Sequence, residues 1–142
     1  MNGQNYTNHS RYIPLWHFVT STAIVVLFVG SIINFWKSSP DNLYSASLII
    51  VIALLLGIMY WYARVFALRA QDRAIRAEES LRYFILTGKP MDNRLRMGQI
   101  IALRFASDEE FPELAQKAAE KALRSKTIKR MIKVWRADTY RV

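Results

Sequence analysis

From Ser45 to Phe84 the chain runs forty residues without a proline, and Gly57 is the one weak helix former among them. Its first part is apolar (LIIVIALLLGIMYWYA) and its second part charged (RVFALRAQDRAIRAEESLRYF). This stretch predicts one continuous helix that leaves a membrane and carries on into water. No acid or base interrupts residues 45 to 68 before Arg64, and about 20 apolar residues at ~1.5 Å each cross the ~30 Å hydrocarbon layer. Beyond it, Ala63, Ala67, Ala70, Ala74, Ala77, Leu81 and Phe84 recur at alternating steps of four and three. That spacing is a heptad seam built mostly of alanine, which lets another helix approach closely. The stalk, residues 69–87, is therefore expected to have a packing partner. The partner is another membrane subunit, a second copy of the chain, or the chain's own helix carrying Ala115, Ala118 and Ala122.

A second apolar run, Trp16 to Trp36, holds no charge over 21 residues and is bounded by aromatic residues suited to a membrane interface. Between the two runs, Lys37 to Tyr44 (KSSPDNLY) carries a Ser-Pro-Asp-Asn turn signal, and so short a link joins antiparallel neighbours. The expected architecture is all-α. It is a transmembrane helical hairpin (16–36 and 45–68, domain 16–68) whose second helix extends as a cytoplasmic stalk into a small three-helix module, residues 88–142. Residues 1–15 form a cytoplasmic or interfacial tail; they lack the basic start and cleavage site of a signal peptide.

Charge sets the orientation. The net charge is +9, and of 20 Lys and Arg only Arg11, Lys37 and Arg64 precede residue 69. The positive-inside rule then places the C-terminal part, and with the hairpin both termini, in the cytoplasm.

Within the module, Gly88-Lys89-Pro90 predicts the end of the long helix. Asp92 or Asn93 is expected to cap a short helix through Phe105. Ser107 with Glu110 forms a capping-box pattern for a helix to about Leu123, with Phe111, Leu114, Ala115, Ala118 and Ala122 as its apolar stripe and Pro112 tolerated in its first turn. Ser125 is expected to cap a last helix, Lys126 to Ala137. There Ile128, Met131, Ile132 and Trp135 share one face, and Lys126, Lys129, Arg130, Lys133 and Arg136 form a basic docking face opposite.

Chemistry is sparse. The histidines are His9 and His17. His17 is a candidate for a haem, metal or chlorin ligand, but a bis-histidine haem needs a second histidine at matching depth. Glu78 and Glu79 have Arg82 within a turn, and Asp108 to Glu110 sit at a helix start, so neither acid cluster asks for catalysis. With no cysteine there are no disulfides or thiolate metal sites, and no phosphate-binding glycine loop or nucleophile elbow occurs. No cofactor is expected, and the reading is of a protein that is not an enzyme. Membrane lipid and other membrane subunits are the expected partners. The basic helix leaves two alternatives, binding of anionic lipid and membrane-tethered binding of nucleic acid through a loose helix-turn-helix likeness. The second is disfavoured, because the exposed side has no Asn or Gln to read bases.

Several blocks carry a family likeness: Asn8-His9-Ser10-Arg11-Tyr12-Ile13-Pro14 with His17-Phe18, then Gln71-Asp72-Arg73, then Ile101-Ala102-Leu103-Arg104-Phe105-Ala106-Ser107-Asp108-Glu109-Glu110. Trp135-Arg136-Ala137-Asp138 with Arg141-Val142 closes the set. Together they resemble a small two-span bacterial membrane family, common in Bacteroidota and Acidobacteria, catalogued as a domain of unknown function. In many members a histidine directly precedes the one matching His17; Trp16 stands there here, which argues against a paired-histidine site. The resemblance implies the architecture and no activity. The function expected is that of an accessory or scaffold subunit of a larger inner-membrane complex.

Overall fold

The structure, a computed structural model, describes Tyr6 and residues 12–138. Among these residues there are five α-helices and no β-strand: α1 (Ser21–Lys37), α2 (Leu43–Thr87), α3 (Met97–Leu103), α4 (Phe111–Glu120) and α5 (Ser125–Met131). Two of them, α1 with its lead-in turn and α2, contain stretches long and apolar enough to cross a membrane. The chain divides into two compact units, one within residues 12–66 and one of residues 67–138 with Tyr6.

In the first unit a π-helical turn, Leu15–Thr20, leads into α1. Hydroxyls take the carbonyls that the wider turn leaves available: Thr20 Oγ1 donates to Leu15 O at 2.9 Å, and Ser21 Oγ to His17 O at 2.8 Å. Tyr60 reaches across from α2, its hydroxyl donating to Trp16 O at 2.8 Å and lying 2.7 Å from Ser21 Oγ, while its ring stacks on Trp16 at 4.4 Å. A 3₁₀ turn, Pro40–Asn42, feeds straight into α2, which starts two residues before the expected Ser45. The residues buried here are small: Ala46 and Ala53 keep 1% of their surface and Ser31 3%. A Cβ on Gly57 would meet Ile24 at 3.8 Å, so the two helices touch where side chains are least bulky.

The second unit is built the other way. Phe105, Phe111, Leu103 and Ile128 are its largest wholly buried side chains, and Ile75 of α2 joins the same core. Gly88 ends α2 as expected, at φ +69° with its amide donating to Phe84 O at 2.8 Å.

Several expected boundaries of the second unit move, among them the end of α3, at Leu103 rather than Phe105. The short helix α3 starts at Met97, not at a cap from Asp92 or Asn93. Asp92 instead accepts from the Arg94 amide and guanidinium, and Gln99 Oε1 accepts from the Arg96 amide at 2.7 Å. The Ser107 pattern does not close as a capping box. The Glu110 carboxylate turns away to accept the amides of Lys133 and Val134, both at 3.1 Å, and α4 begins at Phe111 with Pro112 in its first turn. Ala122 leaves the apolar stripe: α4 ends at Glu120, and Ala122 is exposed at φ +46°.

The last helix is the largest correction. It stops at Met131 rather than Ala137, and Ser125 does not cap it; Ser125 is its first residue, and its Oγ donates to Gly98 O at 2.8 Å. Ile132 has extended backbone and the chain then bends at Lys133 and Val134. Trp135 bridges Ala106, the Arg136 amide donates to Phe105 O at 2.8 Å, and the Ser107 amide to Val134 O at 3.2 Å. The Glu110 carboxylate and the backbone of Phe105 to Ser107 together outbid a further helical turn.

Candidate functional site

The second half of α2 carries two faces. At about 100° per residue, Ile75 and Glu79 point roughly opposite to the alanine seam, and this is the face the rest of the unit covers: they keep 6% and 7% of their surface. Arg82 fastens it. Its guanidinium donates to Glu79 at 3.0 Å, Asp108 at 2.6 Å and Ala106 O at 2.7 Å, and lies 4.4 Å from the centre of the Phe111 ring. With both partners of the Arg82–Glu79 pair about nine-tenths buried, loss of either leaves an uncompensated charge.

The seam faces outward in the single chain. Ala63, Ala70, Ala74 and Ala77 are exposed, Ala67 is half-buried, and Leu81 and Phe84 keep 60% and 53% of their surface. The arrangement in which Ala115, Ala118 and Ala122 fill this seam does not occur. Ala115 and Ala118 are buried in the second unit's core, and Ala122 lies beyond α4.

The five cations of the expected basic face are split. Lys126, Lys129 and Arg130 stand on α5, while Lys133 and Arg136 belong to the irregular segment after it. Lys129 Nζ lies 5.3 Å from the centre of the Phe105 ring and Arg130 5.7 Å from that of Tyr6. Arg136 lines a cleft of about 420 Å³ with Ile75, Glu78, Glu79, Arg104 and Asp138, where Arg104 and Asp138 pair at 2.9 Å.

A different cationic concentration escapes a reading by sequence proximity. Arg94, Arg96 and Arg124 line one cleft of about 540 Å³ with Gly98 and Ser125. Gln99 holds its two walls together, its amide donating to Ala118 O at 3.0 Å and Leu123 O at 2.9 Å. The only advance signal is a buried-length glutamine in an otherwise apolar helix. On the rim, the hydrogen bond from the Arg94 side chain, seconded by the Arg94 amide, holds the Asp92 carboxyl down at about 2 and raises Arg94 in return. A hydrogen bond from Ser107 lowers Glu109.

In the first unit, His17 Nδ1 lies 3.0 Å from Ile13 O and 3.1 Å from Ile13 N, and its ring meets Tyr12 edge-on at 5.6 Å. Its hydrogen-bonding contacts are thus local backbone. His9 lies outside the described residues. Among the described residues no three His, Asp or Glu side chains gather as a metal site. A groove of about 370 Å³ between α1 and α2 is lined almost wholly by apolar side chains, among them Ile24, Phe28, Leu54 and Trp61.

Comparison with curated proteins and with solved structures gives no match. A family model, described as a family of unknown function, covers residues 1–142. The outward seam, the Arg82 anchor and the apolar pair of helices are thus features of a chain that belongs to the family of unknown function DUF6526.

Proposed function

We propose that this chain is a non-enzymatic integral membrane protein of the bacterial inner membrane. On this reading it crosses the bilayer twice as a helical hairpin, keeps both termini in the cytoplasm, and serves as an accessory or scaffold subunit of a larger membrane assembly. One observation carries the reading, the inverted burial of residues 12–66. Large side chains such as Val26 (64% exposed), Leu55 (52%) and Met59 (67%) face out while alanines and a serine face in. In water such a surface would aggregate, whereas in lipid it costs nothing, and small residues are what packed membrane helices place between them. The Lys and Arg excess after residue 68 supports the cytoplasmic assignment. The second unit then offers two things to a partner: the outward seam of α2 and a cationic surface spread over Arg94, Arg96, Arg124, Lys126 and Arg130.

Extraction in a mild detergent at native expression, followed by mass spectrometry with subunit counting, tests the role. The expected result is one stoichiometric set of membrane proteins containing this chain. Elution with no other protein, as one copy or two, would overturn the accessory role.

A further inference from the structure

We infer that the seam of α2 pairs with the same seam of a second copy, parallel and in register. The inference rests on the part of the proposed function that puts the chain in a membrane with an outward docking face.

Three adjacent large apolar side chains, Leu81, Phe84 and Ile85, keep 60%, 53% and 71% of their surface at the end of α2. Lipid is not their cover. On the proposed reading Leu81 lies beyond the apolar run, with Arg64, Arg69, Arg73 and Arg76 between them in the sequence. The rest of the second unit does not cover them either: its core takes another side of α2 through Ile75, Glu79 and Arg82, and Leu81 and Ile85 only border an open cleft with Asp108 and Arg136.

Charge identifies the partner. With Ala67, Ala74 and Leu81 at heptad position a and Ala63, Ala70, Ala77 and Phe84 at d, Arg73 falls at g and Glu78 at e, five residues on. That is the offset at which g of one parallel strand meets e of the other. A two-fold pair therefore makes two Arg73–Glu78 bridges, and Ile85, also at e, widens the apolar end beside Leu81 and Phe84. Among the described residues, neither Arg73 nor Glu78 forms a salt bridge within its own chain. The surface is thus complementary to itself, as an interface between identical copies must be. Copies inserted by one positive-inside rule point the same way, so the parallel arrangement follows from insertion. Alanine along the rest of the seam sets a close approach, and Leu81 and Phe84 supply its apolar mass.

The chain has no cysteine, so single cysteines report the interface in membranes holding the full-length protein. Oxidation of Ala70→Cys and Ala77→Cys with copper phenanthroline is expected to give a disulfide-linked homodimer, and Arg76→Cys, exposed but off the seam, little or none. R73E in the Ala77→Cys background is expected to lower the dimer band several-fold, and R73E with E78R to restore it. No homodimer from either seam cysteine overturns the inference, as does equal cross-linking at position 76 or failure of the double charge swap to rescue. Seam cysteines that join a different protein would overturn self-pairing while leaving the docking face standing; seam cysteines that join nothing would remove both.

Discussion

The two units of this chain differ in the size of the side chains they bury. Within residues 12–66 the buried side chains are Ala46, Ala53 and Ser31, and valine, leucine and isoleucine lie exposed; within residues 67–138 alanines are buried too, but beside Phe105, Phe111, Leu103 and Ile128. One helix, α2, belongs to both, so the difference is not a matter of secondary structure. On the proposed reading, what changes is the solvent each part is built for. Water drives large apolar side chains together, whereas lipid has no such preference and leaves close packing of small residues to hold helices in contact. The second unit also buries charge, which the first does not: Glu79, Arg82 and Arg104 are each about nine-tenths covered and paired.

The same substitution should therefore have opposite outcomes in the two units. Leu103→Ala removes a wholly buried side chain and is expected to cost about 2–5 kcal/mol. Leu55→Ala, half exposed on the apolar surface, is expected to cost below about 1 kcal/mol because lipid replaces the lost contacts. Amide hydrogen exchange of the full chain in lipid nanodiscs reads both, and an equal loss would mean that protein rather than lipid covers Leu55. Arg82→Ala strips partners from Glu79 and Asp108 at once, with an expected loss of about 3 kcal/mol, as for a broken buried pair. Protection should fall within residues 67–138 and stay intact within residues 12–66. Ala53→Leu tests the small-residue contact of the first unit; overpacking there is expected to cost about 1–3 kcal/mol, seen as a lower midpoint in sodium dodecyl sulfate titration.

The smallest effect is at Asp92. Its carboxyl titrates at about 2 because of Arg94, below its unfolded value, so the unfolded chain binds more protons in that interval and the stabilisation rises with pH. It is fully present above the ordinary carboxylate range and fades as pH falls toward about 2. Carboxyl-carbon NMR should show Asp92 returning to the ordinary range in Arg94→Ala, with little change in stability at neutral pH.

What could be read from the sequence was what depends on near neighbours. Two apolar helices, the Gly88 stop and the tolerance of Pro112 all follow from residues within a turn or two; the Gly88 stop and Pro112 stand where they were expected, while α2 begins at Leu43 rather than Ser45. The end of α5 did not, because Lys126 to Ala137 has a helical period throughout while the competing partners, Glu110 and Phe105, lie more than twenty residues away. The basic face dissolved for the same reason, and the cluster of Arg94, Arg96 and Arg124 formed for it. The period of the α2 seam was plain, but which face the second unit would cover depended on Arg82 reaching Asp108 and Ala106, 26 and 24 residues on. A lone Ile75 among charges gives little hint of that.

The proposed function requires residues 12–66 to cross a bilayer and residues 67–138 to lie in the cytoplasm. A single-cysteine topology measurement tests this directly, comparing Ser39→Cys in the turn with Asn93→Cys in the second unit, in cells whose outer membrane has been permeabilised. A membrane-impermeant maleimide is expected to label Ser39→Cys at once and Asn93→Cys only after the inner membrane is opened. Labelling of both before opening, or of neither until opening, would contradict the two-span arrangement.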